Sequence, residues 1–451
     1  MRLMKWIALL IFLQCFVYKA THSPLAWELG ITITLDRLVF VIILMLAASR
    51  LLSGELQFPR LGKAGGYMLL FALTSTLSSL VSGSGLERSI SGYNTLTTLF
   101  DFIYGPFIVF VIAKSIPHSH EKLTFLSLAF LVIGAYLAIN GAFEHFGPHA
   151  LVWPQYILDP SVGIQFGRTR GPFTSSVALG GALVVTLLFY VLAATRAKGG
   201  KLWAYMMILI TVGVIYTTSQ RSVWLCLAFC LVFLAIVNSG MKQIARVIAG
   251  VICLGFFAGV ASHFSFTEGT LFSKRQDTVD YRWVNYLATL EMSKANPIFG
   301  IGYGNFRREW PKYLRPIPGI DITELTDGNH NTFLGLLAEL GLVGILPYLL
   351  IFCHMFRVGL RVFREGGGLE REFALVFLLI VSSYMIDANF GDYRGARFFN
   401  TVLFLLFGTV ARIEAQIAFP THRSVGTSFQ PEKSKQGEAN RSTVPVLAVE
   451  K

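Results

Sequence analysis

The sequence predicts an all-α, polytopic membrane protein of about twelve transmembrane helices. Of its 451 residues, 54% are hydrophobic and 14% are charged, whereas a soluble domain carries roughly 25% charged residues. A helix needs about 20 mostly apolar residues to cross a bilayer, and apolar segments approaching that length recur along the whole chain. They lie near residues 6–21, 36–52, 66–82, 95–113, 122–140, 173–194, 202–217, 223–238, 244–262, 332–355, 373–387 and 398–413.

The basic residues indicate the topology. The net charge of +12 could suggest a nucleic-acid partner, but Lys and Arg separate apolar segments instead of gathering on one polar domain, as nucleic-acid binding would require. If the N-terminus lies in the cytoplasm, most of the Lys and Arg residues found in short loops fall in loops on the cytoplasmic side. We therefore expect a bacterial inner-membrane protein with both termini inside. Its transmembrane domain covers residues 1–413, and residues 414–451 form a polar, disordered cytoplasmic tail.

The N-terminal segment resembles a signal peptide in length. Met1–Lys5 is basic and Trp6–Tyr18 is apolar. Lys19 follows at once, however, and no small-x-small cleavage pattern is present. We expect an uncleaved first helix, because a bundle can accommodate a short span by thinning the bilayer locally.

One loop is long enough to carry a function. Residues 263–331 are expected on the periplasmic side, and a loop of this length is unusual unless it is functional. Within it, the pattern of Val279–Asn296 predicts an amphipathic helix, which Asn296-Pro297 would end.

Two candidate functional residues lie at expected membrane edges. His330, in Gly328-Asn329-His330-Asn331, precedes the tenth apolar segment. It could act as a base near neutral pH, or the motif could simply cap a helix through Asn329 or Asn331. Arg221 lies in a tight turn beside hydroxyl and amide side chains. It could bind a phosphate bidentately or only snorkel to the interface.

Further candidates surround the long loop. Arg282 lies one turn before Tyr286 on the predicted loop helix. For Arg170, the sequence leaves open whether the side chain binds a ligand or is only a solvated surface charge. The segment Gly300–Asn305 lacks the third glycine of a dinucleotide fingerprint and predicts instead a tight turn near a ligand or another backbone.

Glu339 is an acid inside an apolar helix and is a functional candidate by default. It follows His330 by nine residues, which on a straight helix places it about 13 Å deeper and on the opposite face. A hydrogen bond between helices is therefore the favoured role. None of the five cysteines makes a paired spacing with His or another Cys in a loop, and Cys226 and Cys230, four apart on one helix face, do not alone make a zinc site. No Asp-x-Asp motif occurs either, so the sequence gives no support for a metal.

The stretch of residues 327–344, DGNHNTFLGLLAELGLVG, resembles the signature of the bacterial O-antigen ligase and polymerase superfamily. Three weaker matches occur in the same order: the Gly-Pro-Phe segment at 171–173, the Ser-Gln-Arg-Ser turn at 219–222, and the stretch from 282 to 305. The turn departs from the family pattern, in which Ser-Arg followed by a small residue is common.

The resemblance implies a membrane glycosyltransferase with a GT-C-like fold. Such proteins transfer a glycan from undecaprenyl diphosphate, in the periplasmic leaflet, to a hydroxyl of the lipid A core or of a growing glycan, without a metal or cofactor. The family's essential histidine matches His330, and its two diphosphate-binding arginines match Arg221 and Arg282. Supporting roles then fall to Asn331, Arg170, Gly302, Asn305 and Glu339.

Two alternatives remain open at the level of sequence. Twelve helices with both termini inside would also suit a secondary transporter, although polar features here concentrate late in the chain instead of in paired repeats. A peptidoglycan-type polymerase would use a similar lipid donor, but with an acidic residue at the centre of its outer cavity. The sequence does not separate a ligase from a polymerase.

Overall fold

A computed structural model describes residues 1–16, 26–28, 32–83, 95–196, 201–237, 273–315 and 329–418. Fourteen α-helices and one short antiparallel hairpin occupy these residues. The helices are α1 (Arg2–Leu13), α2 (Leu35–Leu52), α3 (Gly62–Val81), α4 (Thr95–Leu99), α5 (Gly105–Ser115), α6 (His120–Phe146), α7 (Ser176–Arg196), α8 (Lys201–Thr217), α9 (Arg221–Val237), α10 (Ser273–Ala295), α11 (Phe306–Glu309), α12 (Thr332–Glu365), α13 (Gly368–Asp387) and α14 (Arg397–Ala418). The hairpin pairs β1 (Ala26–Glu28) with β2 (Thr32–Thr34).

The all-α membrane fold predicted from composition is confirmed. Eleven of the twelve predicted apolar segments contain a helix, and the remaining segment, 244–262, lies outside the described residues. Within the described ranges, six helical stretches are long and apolar enough to cross a bilayer, and α8 and α9 are shorter apolar helices. One of the six is continuous from α4 through a π-helical turn, Phe100–Tyr104, into α5.

Two predicted boundaries are wrong. The loop helix α10 begins at Ser273, before the predicted start at 279, because its first turns are polar and carry no apolar periodicity. The last helix continues to Ala418, so residues 414–418 belong to α14 and not to a tail. An ion pair between Arg361 and Glu414 ties this last turn to α12. The rest of the predicted tail lies outside the described residues.

The helix α12 is broken near its middle. Gly341 has φ 60° and ψ −162°, which interrupts the helical hydrogen bonds. The freed groups bond to the segment that follows α10. The carbonyls of Ala338 and Glu339 accept from the amides of Ile301 and Gly302, both at 2.9 Å. The amides of Leu342 and Val343 donate to the carbonyls at 297 and 298, at 2.9 and 3.1 Å. A broken helix is tolerated in a membrane protein only where its backbone is satisfied in this way.

Helices α12, α13 and α14 form the centre on which the loop helix rests. Helix α14 packs along α5 and contacts α12 and α13, while α13 also packs on α7 and α9. Aromatic side chains fill the contacts, such as the edge-to-face pair of Phe377 and Phe407 at 5.9 Å. Helix α10 contacts α12. The start of α12, the end of α13 and the start of α14 therefore meet at one end of the bundle, called here the His330 end.

Candidate active site

His330 lies in the turn that leads into α12. The next residue, Asn331, is the N-cap of this helix, and its side-chain oxygen accepts from the amides of Phe333 and Leu334, both at 3.0 Å. The side-chain oxygen of Asn329 in turn accepts from the amide of Asn331 at 3.1 Å. The capping role considered for this motif is therefore present. It does not compete with a role for His330, because the caps fix the backbone on both sides of the imidazole.

The loop between α13 and α14 holds the same turn from the other side. The amide of Thr332 donates to the carbonyl of Ala388 at 2.8 Å, and its hydroxyl donates to the carbonyl of Gly391 at 2.8 Å. The same hydroxyl accepts from the amide of Tyr393 at 2.9 Å. Thr332 is fully buried. Backbone contacts between two separate segments therefore define the position of His330.

Helix α10 brings Arg282 to the His330 turn. The Tyr286 hydroxyl donates to the carbonyl of Asn389 at 3.0 Å and lies 3.4 Å from the carbonyl oxygen of His330. Arg282, one turn earlier on the helix, is half-buried, and its Nε atom is buried with no hydrogen-bond partner. The predicted proximity of Tyr286 and Arg282 on one face is thus seen in the structure. The guanidinium keeps a donor that nothing in the described chain uses.

The pKa of His330 is lowered from its ordinary value. Burial of the imidazole is the main cause, the positive charge of Arg282 adds to it, and the negative charge of Asp392 opposes it. A lowered pKa keeps the ring neutral at pH 7, and a neutral imidazole is the form that accepts a proton. Arg282 and Tyr286 lie one turn apart on α10, and Tyr286 contacts the His330 turn, so α10 carries Arg282 toward His330.

Glu339 is engaged away from His330. Its carboxylate pairs with the guanidinium of Arg394 and accepts from the amide of Phe306 at 3.0 Å. Arg394 is itself bound by Asp392, with Nη2 at 2.6 Å from Oδ2. Both carboxylates raise the pKa of Arg394 against the opposing effect of burial. The sequence favoured a hydrogen bond between helices for Glu339. In the structure it accepts from the first residue of the short helix α11, and its charged partner, Arg394, comes from the loop after α13.

Gly302 and Asn305 shape the turn that enters the break in α12. Gly302 has φ +98°, and a Cβ there would overlap Ser82 of α3. Gly300 has φ +67°, and a Cβ there would overlap the backbone at Glu339. The side-chain amide of Asn305 donates to the carbonyl of Ile301 at 3.1 Å, which closes the turn. The alternating glycines thus serve a close approach of two backbones, one of the two readings predicted for them.

Arg170 is occupied by its own loop. The side chain is 1% exposed and donates to the carbonyls of Ile157 at 2.6 Å, Val162 at 2.7 Å and Asp159 at 3.1 Å. The backbone amide of Arg170 donates to the Glu144 carboxylate at 2.9 Å. These contacts organise the loop between α6 and α7 and leave the guanidinium little freedom for a ligand.

Arg221 begins α9 and is exposed. Helix α9 packs on α13, where the Cys226 thiol donates to the carbonyl of Ser383 at 3.3 Å. Asp387, the last residue of α13, pairs with the Tyr393 hydroxyl. Asn389, two residues after Asp387, is the residue that Tyr286 contacts. Arg221 is therefore attached to the same end of α13 as His330. Within the described chain, it makes no direct hydrogen bond to His330 or Arg282.

The sequence analysis missed Asn389, Asp392 and Arg394, all in the short loop between α13 and α14. This loop has no motif of its own in the sequence. The available signal was an arginine on the side where the positive-inside rule disfavours one, two residues after an acid. A buried ion pair with Glu339 explains its position.

Residues 205–349 match the family model described as O-antigen ligase. This part of the chain is similar to the O-antigen ligase family. The match covers about a third of the chain and includes Arg221, Arg282 and His330. Together with the apolar helices it supports a multi-pass membrane enzyme that transfers glycans as a ligase or polymerase, and it gives the transporter alternative no support. No curated protein matches the chain.

Proposed function

We propose that this protein transfers a glycan from undecaprenyl diphosphate to an acceptor hydroxyl at the periplasmic face of the bacterial inner membrane. The acceptor is a hydroxyl of the lipid A core or of a growing glycan. The observation that carries the proposal is the docking of α10 on the His330 turn through Tyr286, which brings a half-buried Arg282 with a free Nε–H donor toward an imidazole of lowered pKa.

The imidazole suits the acceptor side of the reaction. A hydroxyl is a weak nucleophile, and a neutral His330 can take its proton as the oxygen attacks the anomeric carbon. The new bond joins the acceptor oxygen to the anomeric carbon, and the bond from that carbon to the diphosphate oxygen breaks. A single in-line displacement of this kind inverts the anomeric configuration.

The arginines are suited to stabilising the leaving group. The electron pair of the broken bond stays on undecaprenyl diphosphate, whose growing charge needs fixed donors in a site of low dielectric constant. Arg282 offers a buried, unpaired Nε–H to it, and Arg221 approaches from α9 at the same end of the bundle. Planar guanidinium groups bind phosphate oxygens bidentately. Because these two cations provide the charge, the proposed step needs no metal.

Asn331, Glu339, Gly302 and Asn305 are positioning residues in this proposal. Asn331 fixes the backbone next to His330, and Glu339 holds Arg394 and thereby the loop that contacts the His330 turn. Gly302 and Asn305 anchor the segment after α10 in the break of α12. Arg170 acts further away, through the loop between α6 and α7.

The test is transfer by the purified full chain in liposomes that contain an undecaprenyl-diphosphate-linked glycan. Lipid A core and free glycan are offered as competing acceptors, with and without EDTA. We expect transfer in EDTA and a loss on the order of 10²-fold or more in His330→Gln, with donor binding retained. The matched control is His149→Gln, which changes an exposed histidine of another loop. Full activity of His330→Gln would rule out His330 as the general base. Loss of activity in EDTA would contradict a transfer step without a metal.

A further inference from the structure

A cavity that contains two cationic side chains lies at the end of the bundle opposite His330. Helix α14 starts beside the Asp392 loop, and Arg412 lies fifteen residues further along it, about 22 Å at 1.5 Å per residue. Here an open cavity of about 300 Å³ is bounded by α1, the end of α5, the start of α6 and the last turns of α14. Nothing in the proposed reaction uses it.

The cavity carries an excess of positive charge. Lys122 enters from α6 and Arg412 from α14. Arg412 and Arg50 both act electrostatically on Lys122, and Arg412 also acts on Lys114. Lys122 and Arg412 thus bring two cationic side chains to one cavity from α6 and α14, and Arg50 and Lys114 add positive potential nearby.

The nearby carboxylates are mostly engaged elsewhere. Glu370 lies 2.6 Å from the His118 ring, and Glu414 pairs with Arg361 of α12. Glu121 acts on Lys122, but it is exposed to solvent. Glu55 pairs with Arg50 at 3.7 Å, and Glu414 also acts on Lys114. Among the described residues that line the cavity itself, where Lys122 and Arg412 lie, none is a carboxylate.

Two donors in the cavity have unused capacity. The Nε atom of Arg412 is buried with no hydrogen-bond partner. The ammonium of Lys122 donates to the carbonyl of Pro117 at 2.6 Å, and an ammonium carries three hydrogens. Buried donors left unpaired are destabilising. An anion with several acceptor oxygens would satisfy both side chains.

The remaining walls are apolar. Met4, Leu123 and Leu126 line the cavity and are buried. A charged pocket with an apolar wall at the end of transmembrane helices fits an amphiphile whose head is anionic and whose tail lies along the helices. We propose that this cavity binds the phosphate of an anionic phospholipid headgroup, held by Lys122 and Arg412, in the leaflet opposite the His330 end.

The test is lipid binding to the purified full chain, measured by native mass spectrometry. The probes are phosphatidylglycerol, phosphatidylcholine and inorganic phosphate. We expect a preference for phosphatidylglycerol over phosphatidylcholine, and a drop in phosphatidylglycerol affinity on the order of twentyfold in Lys122→Gln/Arg412→Gln, or roughly fivefold for each cation removed. The matched control, Arg357→Gln/Arg364→Gln, removes two exposed cations outside the cavity and should keep wild-type affinity.

Several outcomes would overturn the proposal. Equal binding of the two lipids, unchanged affinity in the cavity variant, or an equal loss in the control variant would each do so. Displacement of the lipid by millimolar inorganic phosphate would assign the site to free phosphate instead. A charge-preserving variant, Lys122→Arg/Arg412→Lys, should keep the lipid preference and shows that any loss in the Gln variant is not a folding defect. The outcome is independent of glycan transfer.

Discussion

The side-chain amide of Asn329 lies directly over Gly335, in the first turn of α12. A Cβ at position 335 would overlap that amide, and the oxygen of the same amide accepts from Asn331 beside His330. The glycine therefore provides the space in which the residue before His330 is fixed.

Gly335→Ala should displace Asn329 and disturb the His330 turn. We expect transfer to fall on the order of 10²-fold, because small displacements of reacting groups are costly, while the protein still folds. The matched control is Gly213→Ala in α8, where a Cβ would meet nothing within 4 Å. Measured transfer rates should separate the two variants, and equal rates would show that Asn329 does not position His330.

The acidic limb of the pH–rate profile should depend on Arg282. Transfer needs neutral His330, so the rate rises with pH through the pKa of this residue. Burial and Arg282 lower that pKa. Arg282→Gln removes one of these two causes, so the pKa should rise and the acidic limb should move to higher pH.

Asp392→Asn is a control variant in which the acidic limb should move in the opposite direction. Asp392 raises the pKa of His330, so its removal should move the acidic limb to lower pH. The profile of kcat/KM against pH is the measurement. If the acidic limb stays at the same pH in both variants, the titrating group is not His330.

The ion pair of Glu339 and Arg394 should stabilise the His330 end. Both side chains are almost fully buried, and removing one partner of a buried pair leaves an uncompensated charge. We expect Glu339→Gln to lower the free energy of unfolding by about 3 kcal/mol. Glu339→Gln/Arg394→Gln should lose less than the sum of the single losses, because the two residues are coupled.

An exposed pair provides the comparison for this experiment. Arg196 and Glu372 lie 2.6 Å apart with side chains 40% and 28% exposed. Exposed pairs contribute only about 0–1 kcal/mol, so Glu372→Gln should have a small effect. Unfolding in denaturing detergent measures the free energy of unfolding of the variants at both ion pairs. If the losses of the two single variants at 339 and 394 add up to that of the double variant, the two residues are not coupled.

The Tyr286 hydroxyl should hold α10 against the loop after α13. Tyr286→Phe removes the hydrogen bond to Asn389, at a cost of about 1 kcal/mol, and should loosen the helix that carries Arg282. Limited proteolysis within residues 273–315 should become faster, and the affinity for the lipid-linked donor should fall. Tyr313→Phe is the control, because its hydroxyl makes no hydrogen bond within the described chain. Identical proteolysis of the two variants would contradict the anchoring role.

The positions of the helices could be predicted because apolar length is a local property of the chain. Eleven of the predicted apolar segments contain helices in the described parts of the molecule. The turn before α12 was also predictable, since Asn331 caps a helix through its nearest neighbours. Helix ends were predicted less well: the extension of α14 to Ala418 depends on a partner in α12.

The site was only partly predictable for the same reason. His330, Arg221 and Arg282 were selected by motif, but the approach of Arg282 to the His330 turn depends on how α10 docks. The partners of Glu339 and the use of Arg170 within its own loop had no local signature.

By itself, the sequence determined an all-α membrane protein, the approximate position of its apolar helices and the residues able to carry its chemistry. These follow from side-chain polarity and short-range hydrogen bonding. Only the tertiary structure decided which of those residues meet. The break at Gly341, the docking of α10 through Tyr286 and the Asp392–Arg394–Glu339 contacts all join segments that are distant in the chain. Such contacts depend on packing geometry, which residue type and spacing do not encode locally.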